Sequence, residues 1–179
     1  MQNCKKKRGP CFAGSQYSAN TWGHQVTHLA DTQIDSLEKR AAMATGIHES
    51  GRCRTLALLI GYGPRGHPIA RILKELFTEW FRALRKIARQ GHVAWQNLVC
   101  AWRIARSNLA SKYSPGIMHD KVITVKAAHG IMHNVIIWLY KLGWNPMHVS
   151  RWVAPDGSDY VISNLNFPSH LVVLAVVDS

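Results

Sequence analysis

The sequence predicts a mainly α protein, a bundle of three to four helices with a small C-terminal β-hairpin. Two observations carry that expectation. Apolar side chains recur at spacings of three and four through residues 69–89, 93–111 and the second half of 120–142, and two short β-prone runs flank Pro155-Asp156-Gly157-Ser158. With 179 residues, 47% of them apolar and 7 of them Trp, the chain has the length of one ordinary domain and enough apolar matter to bury a core.

Residues 1–16 are basic, Gly-containing and aperiodic and read as a loose leader or as a segment cut from a longer chain. Their run Lys5-Lys6-Lys7-Arg8 is followed by Gly9, Pro10 and Cys11 rather than the apolar stretch of a signal peptide, so an intracellular protein of nucleus or cytoplasm is expected. Over 31–45 a short amphipathic helix is expected. Thr32 is placed to cap it, Ile34, Leu37, Ala41 and Ala44 face inward, and Gly46 stops it. Leu56 to Ile60 is too short a run to assign by period, and Gly61 to Pro68 reads as a loop. Its glycines at 61, 63 and 66 spell Gly-x-Gly-x-x-Gly, but Pro64 lacks an amide hydrogen for a phosphate, and the acid expected about 20 residues on is replaced by Glu79 within a helix. An ordinary turn is the better reading.

Residues 69–89 form the strongest helix, with Ile69, Ile72, Leu73, Leu76, Phe77, Trp80, Phe81, Leu84, Ile87 and Ala88 on one face. Arg71, Lys74, Arg82, Arg85 and Arg89 project from the other as one stripe. A second helix over 93–111 turns Trp95, Leu98, Val99, Trp102, Ala105 and Leu109 inward and Arg103 and Arg106 outward, and Ser114-Pro115-Gly116 closes it. A third over 120–142 ends at Gly143, and Trp144, Asn145 and Pro146 break the chain before the hairpin. Asp156-Gly157 is expected to supply the positive φ values of its turn. Leu171 to Val177 is β-rich and uncharged, either one more buried strand or an exposed liability.

Charge points to the partner. Lys and Arg number 22 against 10 acids, and residues 50–126 hold fourteen of the former against Glu75, Glu79 and Asp120. A polyanion is therefore expected, with RNA or DNA backbone first. A solvated polar face is the plainer account of the stripe. Exposed Trp side chains would be placed to stack on bases. No apolar run approaches the ~20 residues of a membrane helix, so no membrane partner is expected.

Chemistry finds little footing. Cys4, Cys11, Cys53 and Cys100 are scattered singly, with no Cys-x-x-Cys pair. His129 and His133 share a helix face but have no further ligand nearby, so no metal and no cofactor are expected. The close acid pairs Asp31 with Asp35, Glu75 with Glu79 and Asp156 with Asp159 are explained by helix spacing or a turn. No nucleophile elbow occurs.

Tyr17-Ser18-Ala19-Asn20-Thr21-Trp22-Gly23, then Leu29, Gln33, Leu37-Glu38-Lys39-Arg40 and Ala41 to Gly46, resemble the segment after the palm in reverse transcriptases of LINE-like, non-LTR retroelements. There a Tyr-Gly strand end leads into a thumb helix with a Leu-x-x-Arg element, the place of Leu37 and Arg40, and Ser18 stands where the family has Gly. Gly51-Arg52-Cys53-Arg54, Leu56 to Ile60, the helix with Trp80, Lys141-Leu142-Gly143-Trp144, Arg151-Trp152 and Asp156-Gly157 resemble the linker after that thumb. The resemblance covers about residues 15–163; residues 164–179 depart from it, which implies a frameshift, an altered exon end or a premature stop.

The resemblance implies a thumb-like helical region over 17–116, a linker helix and hairpin over 117–165 and a divergent apolar tail over 166–179. It implies no catalysis, because the palm's adjacent aspartates have no counterpart in this sequence. What carries over is a basic helical surface that grips template and primer backbone. The expected function is thus that of a truncated, non-catalytic retroelement fragment binding RNA or DNA independently of sequence through Arg71, Lys74, Arg82, Arg85, Arg89, Arg103 and Arg106. The alternatives are a small basic helical protein-interaction module or a degraded reading frame without function.

Overall fold

The computed structural model describes residues 17–21, 23–24, 28–47, 53–63, 67–110, 130–162 and 173–176. The chain is mainly helical. In order come α1 (Tyr17–Thr21), α2 (Asp31–Ala44), α3 (Arg54–Tyr62), α4 (Pro68–Arg89), α5 (His92–Ala110) and α6 (Ile131–Lys141), followed by β1 (Asn145–His148), β2 (Arg151–Val153) and β3 (Asp159–Val161). The chain divides into two compact units, residues 1–24 with 29–72 and residues 25–28 with 73–179, so α4 contributes to both.

In the first unit α2 buries Ile34, Leu37, Ala41 and Ala42. Its start corrects the expectation at Thr32. Ala30 is the cap, and the Gln33 side-chain carbonyl reaches back to accept from the Ala30 N–H at 2.9 Å, the half of a capping box that alanine permits. Leu56 to Ile60 lies within helix α3, and the expected loop from Gly61 to Pro68 is shorter than its composition implied. Gly61 and Tyr62 remain helical because α3 lies close against α2. The Tyr62 hydroxyl donates to the Ala41 carbonyl at 3.2 Å, and a Cβ on Gly61 would collide with Thr45 Cγ2. Pro68 opens α4, where its missing N–H costs nothing. The element before Gly61 is therefore a helix rather than the strand a dinucleotide turn requires, and Gly61 serves packing.

In the second unit the core forms where the apolar period places it. Leu73, Leu76, Phe77, Trp80, Phe81 and Leu84 of α4 are buried, as are Trp102, Ala105 and Leu109 of α5. Helix α6 spans Ile131–Lys141 within the expected 120–142, is buried through Asn134 to Tyr140, and begins after Gly130; residues 120–129 lie outside the described residues, as do Ser114 to Gly116. Its end is a Schellman motif at Gly143, whose φ of 79° lets the Gly143 N–H reach the Tyr140 carbonyl at 3.0 Å and the Trp144 N–H the Leu139 carbonyl at 2.8 Å.

The sheet order is β1-β2-β3, antiparallel throughout. The expected hairpin is β2 with β3, pairing Trp152 with Tyr160. Its turn differs from the expected one, since only Gly157 has positive φ and Asp156 does not. The Gly157 N–H bonds the Ala154 carbonyl at 3.0 Å and the Ala154 N–H the Ser158 carbonyl at 2.8 Å, a three-residue loop with Pro155 leading and Gly157 in the left-handed position. The expected chain break at Asn145 and Pro146 is instead the start of strand β1. Pro146 is tolerated there because β1 is an edge strand with an irregular register between Asn145 and His148.

Three indoles join these elements. Trp80 stacks on Trp102 at 5.3 Å between centroids, and Trp102 lies nearly parallel to Trp152 at 6.5 Å, with Phe77 and Phe81 against Trp152. Within 171–177, where either a buried strand or an exposed liability is expected, the described residues 173–176 are helical, with Val173 and Val176 buried. Their β-branched composition is answered by burial rather than by pairing.

Candidate nucleic-acid interface

Helix α4 has 22 residues, and at 100° per residue Arg71, Lys74, Arg82, Arg85 and Arg89 fall within an arc of about 80° opposite its buried face. The stripe exists as helix geometry, but its members differ in what they meet. Lys74, Arg82, Arg85 and Arg89 are exposed, and Lys86 stands exposed beside them. Arg82 is ion-paired with Glu79 one turn back while keeping 69% of its side chain in solvent, so a phosphate can replace Glu79 at little cost. Arg71 is half-buried, its guanidinium 4.1 Å above the centre of the Tyr17 ring in the first unit. That residue serves packing.

On α5 the two expected contacts also part. Arg103 is exposed. Arg106 is committed to the sheet, donating to the Met147 carbonyl at 3.0 Å and to Asn145 Oδ1 at 3.4 Å. Trp102 anchors the same strand, its indole N–H donating to the Pro146 carbonyl at 3.3 Å. Burial, and then the positive charge of Arg103, push the His148 imidazole below its ordinary range. No sequence signal joins Arg103 to so distant a residue. Lys86 could have been found by counting all the outward residues of α4 rather than those on a single line.

No Trp among the described residues is fully exposed for stacking. Trp80, Trp102, Trp138, Trp144 and Trp152 are buried and Trp95 is half-buried. The indole N–H groups of Trp80 and Trp152 are buried without a hydrogen-bond partner, which is a property of the core and not of a surface.

Comparison with protein-family models, curated proteins and solved structures finds no match for this chain.

Several polar groups of each unit engage one another. In the first unit Asp35 accepts from Lys39 at 2.6 Å and from Arg54, and these bonds hold its carboxyl below the usual carboxylate range. Arg54 also lies 3.7 Å from Glu38, and His67 Nε2 lies 3.6 Å from the other oxygen of that carboxylate. A cleft of about 230 Å³ is lined by Leu29, Thr32, Gln33, Ser36, Leu37 and Arg40, so the Leu-x-x-Arg pair borders it with Leu37 buried and Arg40 exposed. Where the resemblance implies a strand end, Tyr17–Thr21 form a short helix.

In the second unit His28, buried to 1% exposure, donates from Nδ1 to Asn134 Oδ1 at 2.8 Å, with its ring 5.7 Å from that of Trp138. Neither His28 nor Asn134 carries a sequence signal, because the two lie far apart in the chain. Among the described residues no three His, Cys, Asp or Glu side chains group as metal ligands; His129 lies outside them. Among them too, no helix is long and apolar enough to cross a membrane.

Proposed function

We propose that this chain grips nucleic-acid backbone, independently of sequence, through the outward side of α4, with Lys74, Arg82, Arg85 and Arg89 meeting phosphates and Arg103 of α5 adding a further contact. The observation that carries this reading is that these cations stand exposed along a helix whose opposite face is locked in the core. Rigid presentation lowers the entropy cost of engaging several phosphates at once. A net charge of +12 supports the same reading through long-range attraction. So does the resemblance to the thumb and linker of non-LTR reverse transcriptases, on which the chain is a non-catalytic piece of such an enzyme. Arg71 and Arg106, occupied by Tyr17 and by β1, are left out of the contact set.

The test is fluorescence anisotropy with a labelled single-stranded RNA and a DNA duplex, titrated between about 50 and 200 mM salt. Arg82→Gln with Arg85→Gln should weaken binding and reduce the steepness of the log K against log salt plot by about one unit for each lost contact. An unchanged slope in the double variant overturns the assignment of this face. Binding of an acidic protein retained in full in the presence of excess nucleic acid would favour a protein-interaction module instead.

A further inference from the structure

Strand β1 is fastened along α5. The Trp102 indole N–H donates to the Pro146 carbonyl at 3.3 Å, and one turn on Arg106 donates to the Met147 carbonyl at 3.0 Å and to Asn145 Oδ1 at 3.4 Å. His148 follows Met147, and Arg103 lies on the turn before Arg106, so the same fastening brings the His148 ring within reach of the Arg103 charge. The ring is half-buried and fixed by Ser150, whose backbone N–H lies 3.3 Å and whose hydroxyl 2.9 Å from Nδ1. Only an unprotonated nitrogen accepts from an amide, so the neutral ring carries its proton on Nε2. Among the described residues no hydrogen bond engages Nε2, and that N–H reaches solvent.

The elements packed against β1 bring cations and no acid. Arg103 and Arg106 come from α5, Lys141 from α6, and Arg151 from β2, opposite His148 in the pairing, while none of these elements holds an aspartate or glutamate. Asp159 of β3 is already taken, accepting from Arg151 Nε at 2.9 Å and Nη2 at 2.7 Å. We propose that His148 is a further phosphate contact of the nucleic-acid interface, its Nε2–H donating to a phosphate whose charge Arg103 neutralises. This rests on the reading of Arg103 as part of that interface, and it extends the contact from the helices onto β1. A phosphate seated there offsets the repulsion that keeps the ring neutral. The bound ring therefore takes a proton more readily than the free one, and Nδ1–H then donates to the Ser150 hydroxyl oxygen. Binding becomes linked to proton uptake. The added affinity appears as the pH falls through the pKa of the bound ring and is complete below that of the free ring.

The experiment is anisotropy of the labelled DNA duplex at fixed salt between pH 8 and 5, with the parent chain and His148→Phe, which keeps a ring and has no N–H. The variant should bind about threefold more weakly at pH 8, where a neutral hydrogen bond is lost, and about tenfold more weakly at pH 5, where a charged one is. The assigned His148 ring signal of the parent chain, followed by nuclear magnetic resonance, should titrate at higher pH with the duplex bound than without it. In free Arg103→Gln it should move up toward the ordinary value of about 6.5. Equal binding by parent and His148→Phe across the range, or a His148 titration that the duplex leaves in place, overturns the proposal and leaves the α4 contacts standing. An unchanged His148 titration in free Arg103→Gln separates the two residues and overturns it as well. A parent chain that binds no duplex at any pH overturns the whole interface, this contact included.

Discussion

His67 stands at the start of α4 with its two ring nitrogens differently engaged. The Ile69 N–H donates to Nδ1 at 3.3 Å, which needs that nitrogen unprotonated, while Nε2 faces the Glu38 carboxylate. The imidazole thus caps the helix as an asparagine side chain would. Burial pushes it below its ordinary range, and the Glu38 charge only partly restores it. A histidine whose folded pKa is depressed binds its proton more readily when unfolded. Its contribution to stability is present in full above the unfolded value of about 6.5 and is lost as the pH falls from there toward the folded value. Urea unfolding between pH 7.5 and 5 should therefore show a decline that His67→Asn, which keeps the cap and does not titrate, reduces. His67→Ala should lose about 1 kcal/mol at pH 7.5 through the missing cap. Equal pH slopes in His67→Asn and the parent chain would remove His67 from this account. His148 is depressed as well and titrates in the same sense, which makes the difference between the two slopes the quantity to read.

Pairs of elements differ in how much of them can be read without coordinates. Helix α4 is legible end to end because its apolar side chains keep one phase for 22 residues, and Gly143 announces the end of α6 through its left-handed φ. Helix α3 is not, since Arg54–Tyr62 is too short for a period and ends in residues that favour turns; it is held by what α2 offers it. That dependence can be measured. Gly61→Ala should destabilise the chain by about 1 to 3 kcal/mol, because Thr45 Cγ2 occupies the space a methyl needs. In a Thr45→Ser background, which removes Cγ2 and keeps the hydroxyl that donates to the Ala42 carbonyl at 2.7 Å, part of that loss should disappear, the remainder coming from Thr45 Cβ, which serine retains 3.0 Å from the added methyl. Chemical denaturation of the four chains closes the cycle, and additive losses would separate Gly61 from Thr45. Strand β1 was equally hidden, as Pro146 argues against a strand until the edge position and the Trp102 and Arg106 bonds are known. The candidate interface divides along the same line. Period and charge place the α4 stripe, whereas the engagement of Arg71 by Tyr17 and of Arg106 by β1 depends on long-range packing that no local pattern records.

For the molecule as a whole, a net charge of +12 on 179 residues is a standing repulsion that folding concentrates. Added salt screens it. The midpoint of thermal unfolding should rise between about 20 and 200 mM sodium chloride, an interval over which the proposed nucleic-acid binding should weaken. Scanning calorimetry of the nuclease-treated chain tests this, and a midpoint that drops with salt would mean that the ion pairs of Asp35 and Asp159 outweigh the repulsion. The Trp80, Trp102 and Trp152 array has an optical consequence of its own. The Trp80 and Trp152 indoles lie 5.3 and 6.5 Å from that of Trp102, close enough for their excited states to couple. Near-ultraviolet circular dichroism of this chain should therefore carry a signal from the coupled indoles, one that Trp102→Phe should weaken and that gives a local, label-free view of whether the middle of the second unit is assembled.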